Sequence, residues 1–429
     1  MRAAFFTLGC KVNQYETEWM RELLQKNGFE IVEETDCPDV FIINSCTVTA
    51  ESDRKTRQMV RKYRRLLPNA VIVLTGCMPQ AFPEDAKRLD AADIVLGNAS
   101  NNELLAAIQE YLLTNRRVVR LQQHTPESVG ATIGTFYHRT KAFLKIEDGC
   151  DRFCSYCIIP YARGRVRSKP MEQIKQEVQA LANAGYKEVV LIGINLSAYG
   201  KETGLTLADA VECAAGIPGI ARVRLGSMEP DQFTDDVISR LAAVDKLCPQ
   251  FHLSLQSGCD KTLKAMNRHY DTQFYRNLIE KLRTHFQNAA ITTDVMVGFA
   301  GESDADFEQS RQFVKEIGFA KTHVFAYSRR KGTVADRMDG QVDAAVKRQR
   351  SHAMLQTAQN AQNAFLQTQL GGVYPVLFET RSKDGYIEGY TPNYTLIKVK
   401  MNQEIGGQIL PVRLTSIEGD GCLGEIITG

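Results

Sequence analysis

The chain has 429 residues, 44% of them apolar and 24% charged. This is the make-up of an ordinary globular protein with cores of normal size, and it excludes a disordered or fibrous chain. At roughly 150 residues per domain the length corresponds to about three domains. A formal net charge of +2 announces no global affinity for nucleic acid, and an odd count of eleven cysteines excludes a complete intramolecular disulfide set.

The N-terminus reads against export. After Arg2 only Ala3 to Leu8 could serve as an apolar region, and the polar run Lys11-Val12-Asn13-Gln14 follows. No stretch approaches the roughly 20 apolar residues of a membrane span. The expectation is a cytoplasmic protein without membrane contact. Its thiols stay reduced there, and spaced cysteines more often mean metal or catalysis than disulfides.

The elements begin with an alternating series. Ala3–Leu8 reads as a strand, Tyr15–Lys26 as a helix, Val40–Asn44 as a strand and Ser52–Leu67 as a helix. Val71–Thr75 and Ile94–Leu96 follow as strands, then a helix from about Asn101 to Leu113. β-Branched runs alternating with helices predict a parallel α/β sheet covered on both faces, of the flavodoxin or Rossmann kind, over residues 1–115. Residues 116–140, with Arg116-Arg117, Pro126 and two glycines, read as a linker.

A second series fills residues 141–370. Its strands are Ala142–Ile146, Glu188–Ile192, Arg222–Leu225, Phe251–Leu255, Ile291–Val297 and Thr322–Tyr327, with helices such as Met171–Ala184 and Asp304–Ile317 between them. Six strand–helix units predict a partial (β/α)6 barrel rather than a closed eight-fold one. A long helix, about Asp343–Leu370, ends the series. Residues 371–429 change character: short strands (Tyr374–Glu379, Leu396–Lys400, Ile409–Leu414) broken by Asp384-Gly385, Gly406-Gly407 and Asp420-Gly421 predict a small all-β barrel.

The cysteines sort into two triplets and a remainder. Cys150, Cys154 and Cys157 lie in one loop just after a predicted strand. Three thiolates so close in sequence can fix three irons of a cubane cluster and leave the fourth open to a ligand. A zinc knuckle is the alternative, but the loop offers no His as a fourth ligand. Cys10, Cys46 and Cys77 each directly follow a predicted strand. In a parallel sheet such ends share one edge, where ligands gather, so these three are expected to meet at a second cluster. The alternative for each is a small buried packing residue, which is also the reading of Cys37, Cys213, Cys248, Cys259 and Cys422.

These residues resemble a known family. Cys150-x3-Cys154-x2-Cys157, with Tyr156 before the last cysteine, resembles the radical S-adenosylmethionine signature. Thr7-Leu8-Gly9-Cys10-Lys11-Val12-Asn13, Asn44-Ser45-Cys46-Thr47-Val48-Thr49, Thr75-Gly76-Cys77 and Cys157-Ile158-Ile159-Pro160-Tyr161-Ala162-Arg163-Gly164 together resemble the methylthiotransferases over essentially the whole chain. The last domain resembles a TRAM domain, most tellingly in Gly389-Tyr390-Thr391-Pro392-Asn393-Tyr394. Gly9-Cys10-Lys11-Val12-Asn13 and Gly226-Ser227-Met228-Glu229-Pro230 are most similar to the branch acting on threonylcarbamoyladenosine at tRNA position 37. Ala300, Val334 and Ala326 stand where the family commonly has proline, which loosens loops without removing chemistry.

The resemblance implies a two-cluster enzyme. Cys150, Cys154 and Cys157 would hold a [4Fe–4S] cluster whose open iron binds S-adenosylmethionine, the source of a 5′-deoxyadenosyl radical. Cys10, Cys46 and Cys77 would hold a second [4Fe–4S] cluster carrying the sulfur. The product would be a 2-methylthio adenine, with electrons from an external donor and sulfur from a separate source. Gly193 and Asn195 would meet the methionine amino end, and Ser227 and Glu229 the ribose. Gln256, Val297 and Gly298 would face the adenine. Turn-forming glycines and caps are the alternative for these rim positions. Methylthiolation of isopentenyladenosine 37 or of a ribosomal protein side chain, and a non-catalytic iron–sulfur RNA-binding protein, are the competing readings.

For the tRNA, the helix after Cys46 carries seven basic residues and no acid between Arg54 and Arg65. Arg54, Arg57, Arg61 and Arg65 are candidates for phosphate contact, the alternative being a solvated helix face. A second basic run, Arg163, Arg165, Arg167 and Lys169, would contact RNA or the cofactor carboxylate, or lie on the surface. The last domain has five Lys/Arg against seven Asp/Glu, so only the resemblance nominates Tyr390, Asn393 and Tyr394 for stacking or hydrogen bonding to anticodon-loop bases.

Overall fold

In the computed structural model, which describes residues 1–125, 133–134, 140–381, 385–401 and 403–427, six parallel strands form the first sheet. Their order is Glu30–Ile31, Arg2–Thr7, Val40–Ser45, Val71–Gly76, Ile94–Leu96 and Val118–Arg120. Val40–Ser45 and Val71–Gly76 are buried at every position, as the middle strands of a sheet covered on both faces must be. Ile42 and Val73 pack against Met20, Leu24, Leu104 and Ile108 on one face. Their neighbours Phe41 and Ile72 pack against Val60, Tyr63 and Met78 on the other.

Two strands depart from the expectation. Glu30–Ile31 widens the sheet at one edge, and Val118–Arg120 lies inside the stretch expected as linker. Both are too short for alternation to be visible in sequence. The first domain therefore runs through Arg120, and residues 126–132 and 135–139 of the expected linker lie outside the described residues.

The second unit is an open barrel of parallel strands. Lys141–Lys145, Glu188–Ile192 and Arg222–Leu225 form one arc. Ser227–Met228, Gln250–Leu253, Ala290–Val297 and Lys321–Ala326 form the other. Gly226 breaks the third strand between the arcs, so the six expected units are all present. Helices Met171–Asn183, Leu207–Gly216, Asp235–Ala242, Thr272–His285 and Asp304–Ile317 cover the outside. Capping boxes at Thr206/Asp209 and Ser303/Asp306 fix where two of them begin. Helix Ala344–Gln369 leads to the last domain.

That domain is a closed five-stranded barrel in the order Val373–Arg381, Tyr386–Tyr390, Leu396–Lys400, Gly421–Ile426, Ile409–Glu418. Val376, Phe378, Ile387, Ile397, Val412 and Leu414 fill it. Two of its strands escape the sequence reading because each holds a glycine. An added Cβ would lie 2.6 Å from the Leu377 carbonyl oxygen at Gly389, and 2.4 Å from Val412 Cγ1 at Gly424. The narrow barrel thus requires glycine where a strand pattern asks for a side chain.

Buried ion pairs fasten the domains. Arg330 reaches from the open barrel to Asp53 at 2.6 Å and to Thr47, with its guanidinium 4.6 Å from the Phe82 ring centre. The last barrel docks at the N-terminal ends of the open-barrel strands. There Lys141 pairs with Glu379 at 2.6 Å, and Arg224 donates to the Pro392 carbonyl at 2.8 Å. No helix among the described residues is long and apolar enough to cross a membrane.

Removing one member of a buried pair strands the other charge. Asp53→Ala is expected to lower unfolding stability by about 3–5 kcal/mol, read by chemical denaturation. Arg54→Ala, one residue along on the exposed face, should change it by less than about 0.5 kcal/mol.

Candidate active site

Three neighbouring strands of the first sheet end in cysteine. Thr7 is in register with Asn44, and Ser45 with Gly76, so Cys10, Cys46 and Cys77 emerge along one edge. Glycine shapes two of the turns. Gly9 has φ +122°, and an added Cβ would lie 3.1 Å from Cys46 Cβ; Gly76 has φ +98°, and one would lie 2.4 Å from the Ser45 carbonyl oxygen. Cys10 faces solvent, Cys46 and Cys77 are buried, and all eleven thiols are free. Asn13 ties the edge together: its amide donates to the Ser45 carbonyl at 2.9 Å and to Asn44 Oδ1 at 3.2 Å, and its Oδ1 accepts from Cys10 Sγ at 3.3 Å.

A cation from the other domain completes this edge. Arg163 is fully buried. Its Nε donates to Cys77 Sγ at 3.2 Å, and its terminal nitrogens reach Asn13 Oδ1 at 3.3 Å, Glu16 Oε2 at 3.0 Å and Asp148 Oδ2 at 3.4 Å. Lys145 joins Glu16 and Asp148 at 3.2 and 3.1 Å, and Arg167 lies 3.7 Å from Asp148. Three cations thus face two carboxylates, and the surplus positive charge lies against the cysteines. Burial pushes the Cys77 thiol up to about 12 while Arg163 draws it down. A guanidinium donating to sulfur inside a positively biased interior suits an anionic thiolate cluster.

The second triplet sits in the loop leaving Lys141–Lys145. Gly149 has φ +91°, and an added Cβ would lie 1.9 Å from the Arg165 carbonyl oxygen, so only glycine lets the loop fold back. The Cys150 amide donates to the Gly164 carbonyl and the Cys157 amide to that of Cys154. Burial raises the thiols of Cys150 and Cys157. Arg268 donates to Cys154 Sγ at 3.2 Å and pairs with Glu229 at 3.1 and 2.5 Å. Among the described residues no three His, Cys, Asp or Glu side chains converge on a single-ion position. The thiolates of a cubane stand further apart, at its corners.

The rim holds buried acceptors without partners in the protein. Asn195 Oδ1, Glu147 Oε1 and Gln256 Oε1 are buried and unbonded. Glu147 uses its other oxygen on the Asn195 amide at 2.7 Å, and a Cβ at Gly193 would lie 2.5 Å from that same oxygen. Buried acceptors at one rim call for a donor-bearing ligand, and the ammonium and hydroxyls of S-adenosylmethionine are such donors. Ser227 is exposed there. Tyr156 packs edge-on to Phe299 at 6.3 Å, with Met266, Met296 and Tyr327 around them. Val297 is buried behind this wall, its carbonyl accepting from the Tyr327 amide. Gly298 turns away from the rim: its amide donates to Glu302 at 2.7 Å, and a Cβ would lie 2.4 Å from Lys347 Cγ.

Other expectations are redrawn by long-range packing. In the basic helix Ala50–Leu66, Arg54, Arg61 and Arg65 are exposed and Arg57 half-exposed. Arg64 turns inward to Asp93 and the Pro68 and Ala70 carbonyls. In the second basic run only Arg165 remains at the surface. Arg163, Arg167 and Lys169 are buried, Lys169 against Glu177, so these three meet neither RNA nor solvent. Asn393 is also buried, donating to Gln369 Oε1 at 2.9 Å and to the Asn288 carbonyl at 3.3 Å. Tyr390 and Tyr394 stack on each other at 4.5 Å, with Lys141 4.5 Å from the first ring and Arg224 4.6 Å from the second. This trio docks the last barrel onto the open one, a partner the local motif does not reveal.

Arg268 and Glu147 lie in the site without a spacing pattern to signal them. Lys11 follows Cys10 at the start of helix Lys11–Lys26. Burial first, then Lys141 and Arg224, hold its ammonium down to about 8.

Comparison with known proteins identifies the family. Residues 2–97 match the family described as Uncharacterized protein family UPF0004, and residues 144–314 match the Radical SAM superfamily. A Thermotoga maritima protein named threonylcarbamoyladenosine tRNA methylthiotransferase MtaB is 36% identical over 99% of this chain and 97% of its own. A Bacillus subtilis protein of the same name is 36% identical over 96% and 93%. A Clostridium botulinum tRNA-2-methylthio-N(6)-dimethylallyladenosine synthase is 33% identical over 98% and 96%. In fold, the chain resembles the radical S-adenosylmethionine methyltransferase TsrM of Kitasatospora setae, with a TM-score of 0.53 at 14% identity over 76% of this chain and 74% of that one. The chain belongs to the radical S-adenosylmethionine methylthiotransferases, enzymes that work with S-adenosylmethionine and [4Fe–4S] clusters.

Proposed function

We propose that this enzyme converts N6-threonylcarbamoyladenosine at position 37 of a tRNA anticodon loop to its 2-methylthio derivative. The observation that carries the reading is the joining of two cysteine triplets through one buried arginine, Arg163. The curated relatives named for that substrate support it. Opening a C–H bond and delivering sulfur are separate tasks, and two adjacent thiol-lined sites suit them.

Cys150, Cys154 and Cys157 hold one cluster and leave an iron for the cofactor, and Cys10, Cys46 and Cys77 hold the other. When bound, the clusters and S-adenosylmethionine supply the radical cleavage at C2 of the adenine, the sulfur and the methyl group. Asn195 and Glu147 accept from the methionine ammonium, with Gly193 making room for Glu147. Ser227 and Gln256 face the ribose and adenine, and Tyr156 with Phe299 walls the adenine side in front of Val297. Glu229 orients Arg268 on Cys154. The face of Arg54, Arg57, Arg61 and Arg65 receives RNA phosphates. An external donor supplies electrons and a separate source supplies sulfur, in the cytoplasm.

The dimethylallyladenosine synthases, at 33% identity, give the second reading. Nucleoside mass profiles of tRNA from cells with and without this protein separate the two. The first expects loss of 2-methylthio-threonylcarbamoyladenosine alone; loss of the dimethylallyl derivative instead selects the second. Replacing Cys10, Cys46 and Cys77 together with Ala should leave S-adenosylmethionine cleavage under dithionite and abolish methylthio transfer. Full transfer by that variant would remove the second cluster from the proposal. Replacing Arg57, Arg61 and Arg65 with Glu should weaken tRNA binding and make its salt dependence shallower; unchanged binding would return this helix to an ordinary solvated face.

A further inference from the structure

Helix Ala344–Gln369 holds no acidic residue, and its basic side chains are gathered near its start: Lys347, Arg348, Arg350 and His352. Cations near a helix N-terminus oppose the helix dipole, so this placement does not serve the helix. One of the four serves the fold: Arg350 is buried and pairs with Glu302 and Asp304, both at 2.7 Å. Lys347 ties the helix to the rim. It donates to the Tyr327 carbonyl at 3.0 Å, and its ammonium lies 5.0 Å from that ring centre. Arg348 and His352 are exposed and make no hydrogen bond or ion pair among the described residues.

These two side chains border a groove of about 440 Å³. Lys347 and Ser351 line it from the same helix, Leu355 and Ala326 supply apolar surface, and no acidic residue lines it. Leu355 leaves 50% of its surface exposed. Strand register fixes the place of the groove. Ala326 is the last residue of strand Lys321–Ala326, which ends its arc of the open barrel, and it is in register with Val297. The groove therefore opens at the level of the rim. A line of contacts leads from it to the active site: Lys347 to Tyr327, Tyr327 to Phe299 at 5.1 Å between ring centres, and Phe299 to Tyr156. Beyond Tyr327 the chain carries Arg330 to Asp53 of the basic helix, with Arg329 and Lys331 exposed on either side of Arg330. Positive charge thus runs from helix Ala50–Leu66, over this loop, to the groove.

We propose that this groove is a second place of contact for the tRNA anticodon loop. Arg348 and His352 meet the sugar–phosphate backbone, and an unstacked base lies over Leu355 and Ala326. Shape and charge select this partner. Basic side chains around an apolar recess fit a nucleotide, whose phosphate is anionic and whose base has two apolar faces. A docked protein instead needs a broad face of about 800 Å², whereas this recess has the size of a small-ligand pocket. The proposal rests on the tRNA reading above. It adds a hold on a second domain to that of the basic helix, so that two domains steady the loop while its base is in the site.

The test uses the full-length, anaerobically reconstituted enzyme and an anticodon stem-loop RNA carrying threonylcarbamoyladenosine. Affinity is read by fluorescence anisotropy across a salt series. S-adenosylmethionine cleavage under dithionite without RNA, and iron per chain, are read alongside. Replacing Arg348 and His352 together with Glu should weaken binding by about tenfold or more and make log Kd against log salt shallower by about 1–2. Leu355→Ala should weaken binding about fivefold, the effect of a half-buried leucine, and leave the slope unchanged. Both variants should keep wild-type iron and cleavage. With 4-thiouridine placed in the loop, ultraviolet cross-linking to the wild-type enzyme should label a peptide within residues 344–355. Wild-type affinity and slope in both variants, or cross-links confined to other segments, overturn the inference and leave the substrate reading intact. Retained RNA binding with activity lost on a protein electron donor but kept on dithionite gives the groove to that donor and likewise overturns it. A wild-type enzyme that neither binds nor cross-links the stem-loop overturns the tRNA reading itself.

Discussion

A guanidinium with no access to water must find its counter-charges inside the protein, and Arg163 finds one in its own domain, Asp148, and the other, Glu16, in the neighbouring domain. The loop that carries Cys157 also carries Arg163, six residues on. Its ends are thus pinned on one side by the open barrel and on the other by Glu16, Asn13 and Cys77. The two cysteine triplets cannot drift apart without stranding a buried charge. Arg330 with Asp53 repeats the device further along the same interface. A reaction that hands a base from one centre to another requires such a fixed separation.

The same reasoning organises the lumen. Glu188, Lys141, Arg222 and Arg224 are buried or nearly so, and each is held by an ion pair or a backbone carbonyl. Charges so committed are poor ligands but good scaffolding. They set a field without leaving their positions. The rim follows the opposite rule: Asn195, Glu147 and Gln256 retain acceptors with no partner in the protein.

The sequence was most legible where the information is local. β-Branched runs named the central strands of two sheets, cysteines at three strand ends named one triplet, because a parallel sheet brings such ends to one edge, and close spacing within one loop named the other. It was least legible where a residue's fate depends on another domain. Arg163, Arg167 and Lys169 look like a surface stripe in one dimension and are interior in three. Asn393 looks like a base-reading side chain and instead holds Gln369 and Asn288. Tyr390 and Tyr394 sit on the strongest motif of the last domain, and their cations come from residues 141 and 224. Glu30–Ile31 and Val118–Arg120 were too short to carry a pattern, and Gly389 and Gly424 interrupted two others.

The stacked Tyr390–Tyr394 pair has a consequence for traffic. It sits at the N-terminal ends of the open-barrel strands, on Lys141 and Arg224, and stoppers that end of the lumen. The cluster cysteines and the rim acceptors lie at the opposite end. With that end covered by the docked barrel, the rim is the side left for a base to enter and leave. Product departure, exchange of spent cofactor and arrival of the next RNA then share one doorway, so the order in which they occur becomes a property of the architecture.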